Sequence, residues 1–513
     1  MVGREVTPSC SPLEVLSAGE IRFERLRRRV GALLAPVALL VVMVLPIEAL
    51  TPEAHRLAAV MAAVMILWIS EALPMAVTAI LGAAACVILR VAPAVEVFAP
   101  FADPLIFLFI GSFILAQAIF VHRLDRRVAF GVLSIRWIGA RPSRILLAYG
   151  ATTCFLSAWI SNTATTAMML PIGMSIIAFL FAEKGDRGDG RSRVDPRYAT
   201  GLMLMTAFAA SIGGLATPVG SPTNIVGIGQ MRRLIGVEVS FFQWSMVGVP
   251  IVLVLFTFLF FYLNRGCPAG VAALEGSREL IHAERAAVGP WTQGQRSVLA
   301  AFAVTVGLWV VPGMLALAAG EDSAISRNVN TSLPETVAAV VGASLLFVLP
   351  GDGKGRALTW REAASIDWGV ILLFGGGLAL GLLSFRTGLA EWMGRGLTGL
   401  LPLGGSLGLL IASVTVATVL SETTSNTASA NMVIPVVISM AQAAGVDPLE
   451  PTLGAAIGAS LGFMLPVSTP PNAIVYGSGY VPLVRMIRFG VLLDLVGIAV
   501  VVVLVRLLAP LLR

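Results

Sequence analysis

With 12% charged residues in a chain of 513, the protein carries about half the charge of a soluble one, and its 57% hydrophobic residues plus 52 glycines leave about two thirds of it apolar or backbone-like. That excludes a soluble fold and fits a bilayer, which takes about 20 apolar residues per helical crossing and so admits roughly ten to a dozen crossings here. The formal net charge of +6 sits in short clusters between continuous apolar runs, which is positive-inside topology and not a nucleic-acid face, and the continuity of the runs excludes a transmembrane β-barrel.

In chain order, residues 1–30 are polar, lack a cleavable signal and carry Arg22, Arg25, Arg27, Arg28 and Arg29, so they are expected to form a cytoplasmic N-terminal segment. The first transmembrane helix falls within 31–56. Apolar runs at 57–73, 75–92 and 104–121 follow, then a basic, amphipathic connector with Arg123, Arg126, Arg127, Arg136, Arg141 and Arg144. The run 145–182 is interrupted by Ser161-Asn162-Thr163-Ala164-Thr165-Thr166 and has arginine-rich flanks on both sides. An apolar segment that starts and ends on one face, with small polar residues at its turn, is a candidate re-entrant helical hairpin. The next crossing, 198–235, is broken by Thr217-Pro218-Val219-Gly220-Ser221-Pro222-Thr223-Asn224, where two prolines and a glycine cannot all sit in a regular helix. A crossing at 246–263 closes a first repeat, 57–263.

The basic loop 264–296 is expected as a cytoplasmic connector. A second repeat, 297–513, then offers crossings at 297–319, 333–349 and 367–385 and an amphipathic segment at 388–402. A hairpin at 405–444 has Ser425-Asn426-Thr427 at its middle, a crossing at 451–480 is broken at Ser468-Thr469-Pro470-Pro471-Asn472, and a last crossing covers 489–509. The fold class expected is an all-α polytopic membrane protein of about 11 transmembrane helices plus two re-entrant hairpins. Arg232 and Arg233 fit this topology poorly, because it places them on the outer face.

The repeat is explicit. Ser157, Ser161-Asn162-Thr163, Pro171 and Ser175 recur as Ser421, Ser425-Asn426-Thr427, Pro435 and Ser439, all 264 positions later. Weaker echoes link Pro74, Val77 and Gly82 to Pro334, Val337 and Gly342, and Phe109 and Gly111 to Phe374 and Gly376. The odd number of crossings between the two hairpins makes the halves inverted, a layout of many secondary transporters.

Broken helices inside hydrocarbon are tolerated only where protein or a water-filled cavity receives the freed backbone groups. Half-helix N-termini suit an anion, and unwound carbonyls with Ser, Thr or Asn oxygens suit a small hard cation such as sodium. Isolated Ser and Thr commonly only glue helices together; duplicated triplets followed by proline-asparagine breaks point to a site. Glu422 has Ala158 as its counterpart and reads either as a functional intramembrane carboxylate or as a structural acid bonded to backbone N–H groups or facing the aqueous cavity. Glu71, Asp103, Glu335 and Asp367 lie near segment ends, where capping or solvation is the default, and Asp494 has no obvious partner. Gly375-Gly376-Gly377 suits close helix packing. Cys10, Cys86, Cys154 and Cys267 show no paired spacing and read as small buried hydrophobes. His55, His122 and His282 are dispersed in connectors, and 185–190 lacks the Lys and Ser or Thr of a phosphate loop, so no catalytic dyad, metal cluster or nucleotide site is visible. An enzyme is not expected.

The residues carry a resemblance. Trp68-Ile69-Ser70-Glu71-Ala72-Leu73-Pro74, Phe101-Ala102-Asp103-Pro104 leading to Phe109-Ile110-Gly111, both Ser-Asn-Thr triplets, and the Ser-Pro-Thr-Asn and Thr-Pro-Pro-Asn breaks make the chain similar to the divalent anion:sodium symporter family over most of its length after residue 60. The resemblance implies a homodimer in the plasma (inner) membrane of a prokaryote, each protomer with a scaffold domain and a transport domain that moves as an elevator. It implies a substrate site at Ser161, Asn162, Thr163, Ser425, Asn426 and Thr427, with Ser221, Pro222, Thr469 and Pro470 from the breaks. One sodium site is implied around Ser157, Ser161, Asn162 and Gly220, the other around Ser421, Thr424, Asn426 and Ser468. Thr223 departs from the family's second proline, Ser421 stands where a threonine is familiar, and Thr424 and Ser468 stand where alanines occur.

The function expected is sodium-coupled symport of a C4-dicarboxylate such as succinate, malate or fumarate, with no nucleic-acid partner. The alternatives are dicarboxylate exchange on the same fold, and sulfate or citrate as substrate. No Arg or Lys falls among the mapped substrate positions, so a dianion is expected to be held by half-helix ends and neutral donors, with sodium supplying charge.

Overall fold

The computed structural model describes residues 18–182, 194–274, 276–320, 323–353, 355–400 and 405–512; Cys10 and the 185–190 run lie outside them. The described chain is helical, without a β-strand. Eight of its helices are long and apolar enough to cross a membrane, and Met75–Ile88 and Glu335–Leu345 are shorter apolar helices. Two of the eight, beginning at Asn162 and at Gly405, belong to the segments expected as hairpins. Gln293–Ala319 and Leu483–Leu508 turn exposed apolar side chains outward, among them Val311, Leu317, Leu495 and Val503, as a lipid-facing helix must.

The first helix departs from expectation. It runs from Ala18 to Val44, so the arginines expected in a tail are helical. Arg27 meets Glu71 at 2.9 Å, which ties the basic turn to the end of the next helix, Pro52–Ser70. Glu71 itself adopts the left-handed conformation that stops that helix, ahead of Pro74.

Hairpin one pairs Pro142–Ser157 with Asn162–Ala182, and hairpin two pairs Gly405–Thr423 with Asn426–Ala443. Pro171 and Pro435 sit inside the second arms. The first broken crossing is Pro196–Gly213, an irregular stretch with one turn at Pro218–Gly220, then Pro222–Gln230. The second is Leu449–Gly458 and Pro470–Gly477, with a longer irregular stretch at 459–469 than its prolines alone announce.

The glycines of the repeat mark a reciprocal packing. A Cβ at Gly111 in Pro104–Val121 would lie 2.6 Å from the carbonyl of Ala339, and one at Gly376 in Trp368–Arg386 would lie 2.6 Å from the Cβ of Ala79. Each half thus lends a helix to the other, joined by the edge-on pair Phe109 and Phe374. The run Gly375-Gly376-Gly377 serves close packing, against Phe101, Ala79 and Asn431 in turn.

The misfit of Arg232 and Arg233 has a local cause. They end the first broken crossing and both pair with Asp103, Arg233 at 2.6 Å. Asp103 also caps Pro104–Val121 by accepting the Leu105 N–H. Its charge offsets two cations that positive-inside topology would not place there.

Candidate functional site

At each hairpin tip the chain makes the same local bonds. Ser161 and Ser425 accept the N–H of Ala164 and Ala428, starting the second arm as N-cap serines do. Ser157 donates to Asn162 Oδ1 at 2.8 Å, and Ser421 to Asn426 Oδ1 at 2.7 Å. The breaks match as closely. Asn224 donates from its amide to the carbonyls of Gly214 and Thr217, and Asn472 to those of Gly462 and Leu465. Each asparagine thereby satisfies two carbonyls that the interrupted helix leaves free.

The two tips and two breaks meet around one cavity of about 1120 Å³. Ser161, Asn162, Thr163, Ser221, Pro222, Ser425, Asn426, Thr427, Thr469 and Pro470 all line it. Four helices begin on its wall, at Asn162, Pro222, Asn426 and Pro470, so four N-termini with partial positive charge border one space; the helix at Pro470 contributes its dipole only, since Pro470 and Pro471 have no N–H and that of Asn472 is bonded to Thr469. The fixed charges of its lining are Glu24, Arg27, Arg28, Glu71 and Asp367, none of them at a tip or a break. Arg27 is paired with Glu71, and Asp367 caps the helix it precedes.

Behind the first tip lies a cradle of oxygens. A Cβ at Gly220 would sit 2.6 Å from Gly214 O, 2.9 Å from Ser157 O and 3.0 Å from Ala158 O, and one at Gly214 would sit 2.2 Å from Asn162 Oδ1. Only the absence of side chains at both glycines leaves that space, and an all-oxygen donor set suits a hard cation such as sodium. The second tip is built differently. Ser468 stands at the place of Gly220 and donates to the carbonyls of Gly462 and Leu465. Ser421 O and Oγ face the Gly462 side, whereas the Thr424 hydroxyl turns away to donate to Trp68 O at 3.3 Å.

Glu422 takes the structural role among the readings open for it. Its oxygens accept the N–H groups of Met464 and Leu465 at 2.9 and 3.2 Å, and its helix packs against the last helix, which carries Asp494. The first half makes the corresponding tie in reverse: Thr217, the counterpart of Leu465, donates its hydroxyl to the carbonyl of Ala158. Asp494 is buried, and its two oxygens have no hydrogen-bond partner among the described residues.

Sequence reasoning missed Asn224 and Asn472 as site-shaping residues, although the asparagine ending each break was the available signal. Gly214 and Gly462 carry a weaker signal, a glycine ahead of each break at matching distance. Arg27 carries none, since it meets the cavity only through folding.

The model of the "Sodium:sulfate symporter transmembrane region" matches residues 27–512. Over 451 residues the chain is 34% identical to the sodium-dependent dicarboxylate transporter SdcS of Staphylococcus saprophyticus, covering 86% of this chain and 84% of that one. Its identity to the SdcS of Staphylococcus aureus (strain USA300) is 33% over 449 residues, with the same coverage. Among solved structures, the Alcanivorax borkumensis YdaH transporter aligns with a TM-score of 0.51 at 14% identity, over 80% of this chain and 85% of that one. Neisseria gonorrhoeae MtrF aligns with a TM-score of 0.53 at 15% identity, over 80% and 82%. These two likenesses concern the fold.

Proposed function

The chain belongs to the sodium:sulfate symporter family, the divalent anion:sodium symporters, and from that premise we propose that it is a secondary transporter coupling sodium to the movement of C4-dicarboxylates such as succinate, malate or fumarate. The observation that carries this reading is the meeting of four helix N-termini and two Ser-Asn-Thr triplets around one cavity whose tips hold no Arg or Lys. A dianion bound there receives N–H and amide donors and the positive ends of four half-helices. These groups are neutral, so no buried counter-charge holds the ligand back from release, and co-transported sodium offsets the second negative charge. The names of the SdcS relatives favour dicarboxylate and sodium.

Sodium is cargo in this scheme. Ser157, Ala158, Asn162, Gly214 and Gly220 supply oxygens for one ion, and Ser421, Asn426, Gly462 and Ser468 for the other. Hairpins and broken crossings then travel as one body, elevator fashion, past the reciprocally packed helices of the scaffold, within a homodimer in the plasma membrane. The contacts of Thr424 with Trp68 and of Ser425 with Met75 are among those that must part.

The test is labelled succinate uptake into proteoliposomes. Uptake into empty vesicles that rises steeply with an inward sodium gradient is expected. Uptake that needs internal dicarboxylate and ignores sodium would instead establish exchange.

A further inference from the structure

Ser221 and Thr469 occupy matching places, yet their hydroxyls do different things. Thr469 caps its own helix by accepting the N–H of Asn472. Ser221 makes no such cap. Its hydroxyl turns inward, 2.9 Å from Thr223 Oγ1 and 3.2 Å from Ser460 Oγ, and Thr223 and Ser460 are closer still to each other. All three residues are buried, at 1%, 0% and 0% exposure. Three hydroxyls in a triangle can each donate once and accept once, so the ring is satisfied without a further partner. It ties the first break to the second half of the chain.

The connection continues. The carbonyl of Ala459, next to Ser460, accepts the hydroxyl of Ser421 at 2.7 Å, and that hydroxyl also lies 2.7 Å from Asn426 Oδ1 at the second tip. A path of contacts therefore runs from the first break through the Ser460–Ala459 backbone and the Ser421 hydroxyl, whose single proton can serve either acceptor, to the Asn426 amide. Thr223 adds a second, shorter tie to Ser460 beside that of Ser221; the second break carries Pro471 at the matching place, which offers no hydroxyl.

We propose that Thr223 and Ser460 are positioning residues of the transport site: they hold Ser221 by its hydroxyl, so that it meets the substrate through its backbone, and they couple dianion binding at the first break to cation binding at the second tip. This rests on the transport reading above. A path of contacts is not by itself coupling, and reciprocal effects on two ligands are what distinguish it.

The experiment compares the full-length wild type with Thr223→Pro, Thr223→Val, Ser460→Ala, the Thr223→Val/Ser460→Ala double variant and the conservative Thr223→Ser. Proline at this place is compatible with the helix start, as Pro471 demonstrates, and the valine variant guards against a folding defect. Two quantities are read: KM for succinate and half-saturating sodium in proteoliposomes, and the sodium-induced shift in thermal stability of purified protein without dicarboxylate. Loss of one such bond predicts a rise of about fivefold in both KM and half-saturating sodium, with kcat little changed. The sodium-induced thermal shift should shrink, the double variant should be no worse than the single ones, and Thr223→Ser should behave as wild type. Unchanged sodium dependence in Thr223→Val and Ser460→Ala, or fully additive effects, would overturn the coupling. Asn162→Ala serves as reference: if it transports normally, the site assignment fails as well, whereas its loss beside unaffected Thr223 and Ser460 variants defeats this inference alone.

Discussion

Gly220→Ala is the sharpest perturbation of the first ion cradle. The added methyl would stand 2.6 Å from Gly214 O and within 3.0 Å of the Ser157 and Ala158 carbonyls, well inside the roughly 3.3–3.6 Å at which carbon and carbonyl oxygen ordinarily meet. All three neighbours are backbone, so none can rotate away, and the oxygens must move apart. Overpacking of this kind costs about 1–3 kcal/mol. Expressed against the bound ion, that is a loss of about 5- to 150-fold in affinity. The assay is succinate uptake against sodium concentration, with the sodium-induced thermal shift of the purified protein as a second readout. Half-saturating sodium should rise about 30-fold, the middle of that range. Gly307→Ala, whose methyl meets nothing within 4 Å, should leave the curve unchanged. A Gly220→Ala protein with wild-type sodium dependence would refute the cradle as an ion site.

Asn162→Ala and Asn426→Ala each remove an amide that faces both the cavity and an ion position, and each should lower apparent succinate affinity by about 10- to 150-fold, the equivalent of one hydrogen bond to a charged group; equilibrium binding measurements check this. Asp103→Ala leaves Arg232 and Arg233 unpaired. Because both arginines are partly exposed, the expected loss is about 1–3 kcal/mol, short of the cost of a fully buried pair, and an unchanged thermal midpoint would count against the clasp. Burial pushes the Asp125 carboxyl, in the connector helix Leu124–Leu133, up to about 6. The folded state thus keeps a proton that the unfolded chain releases at about pH 4, so stability should fall as pH rises between about 4 and 6 and remain lower above that window. Asp125→Asn should flatten that decline in pH-dependent thermal denaturation and raise the midpoint at pH 7.

The hairpin tips and breaks were legible because they are duplicated: Asn162 and Asn426, or Pro222 and Pro470, announce themselves by recurring in one pattern against an apolar background. Even the reciprocal helix packing left a trace, in the echo between Gly111 and Gly376. What stayed hidden depends on partners distant in sequence. Asp103 looks like a capping residue, and only the fold brings Arg232 and Arg233 to it. Glu422 looks isolated until the fold brings it the N–H groups of Met464 and Leu465. That the arginines before residue 30 are helical and that Arg27 is held by Glu71 also depends on a partner distant in sequence. Ser460 is one serine among many in apolar runs, and no periodicity distinguishes it from helix glue.

The central claim is that a dianion is held between two hairpin tips by neutral groups at four helix N-termini. Its most direct test is to locate bound succinate by electron cryomicroscopy of the protein in lipid nanodiscs with saturating sodium. The account predicts density between Asn162 and Asn426, its carboxylates directed at the N-termini that begin at Asn162, Pro222, Asn426 and Pro470. Succinate bound instead beside Arg27 and Arg28, with the tips empty, would contradict it.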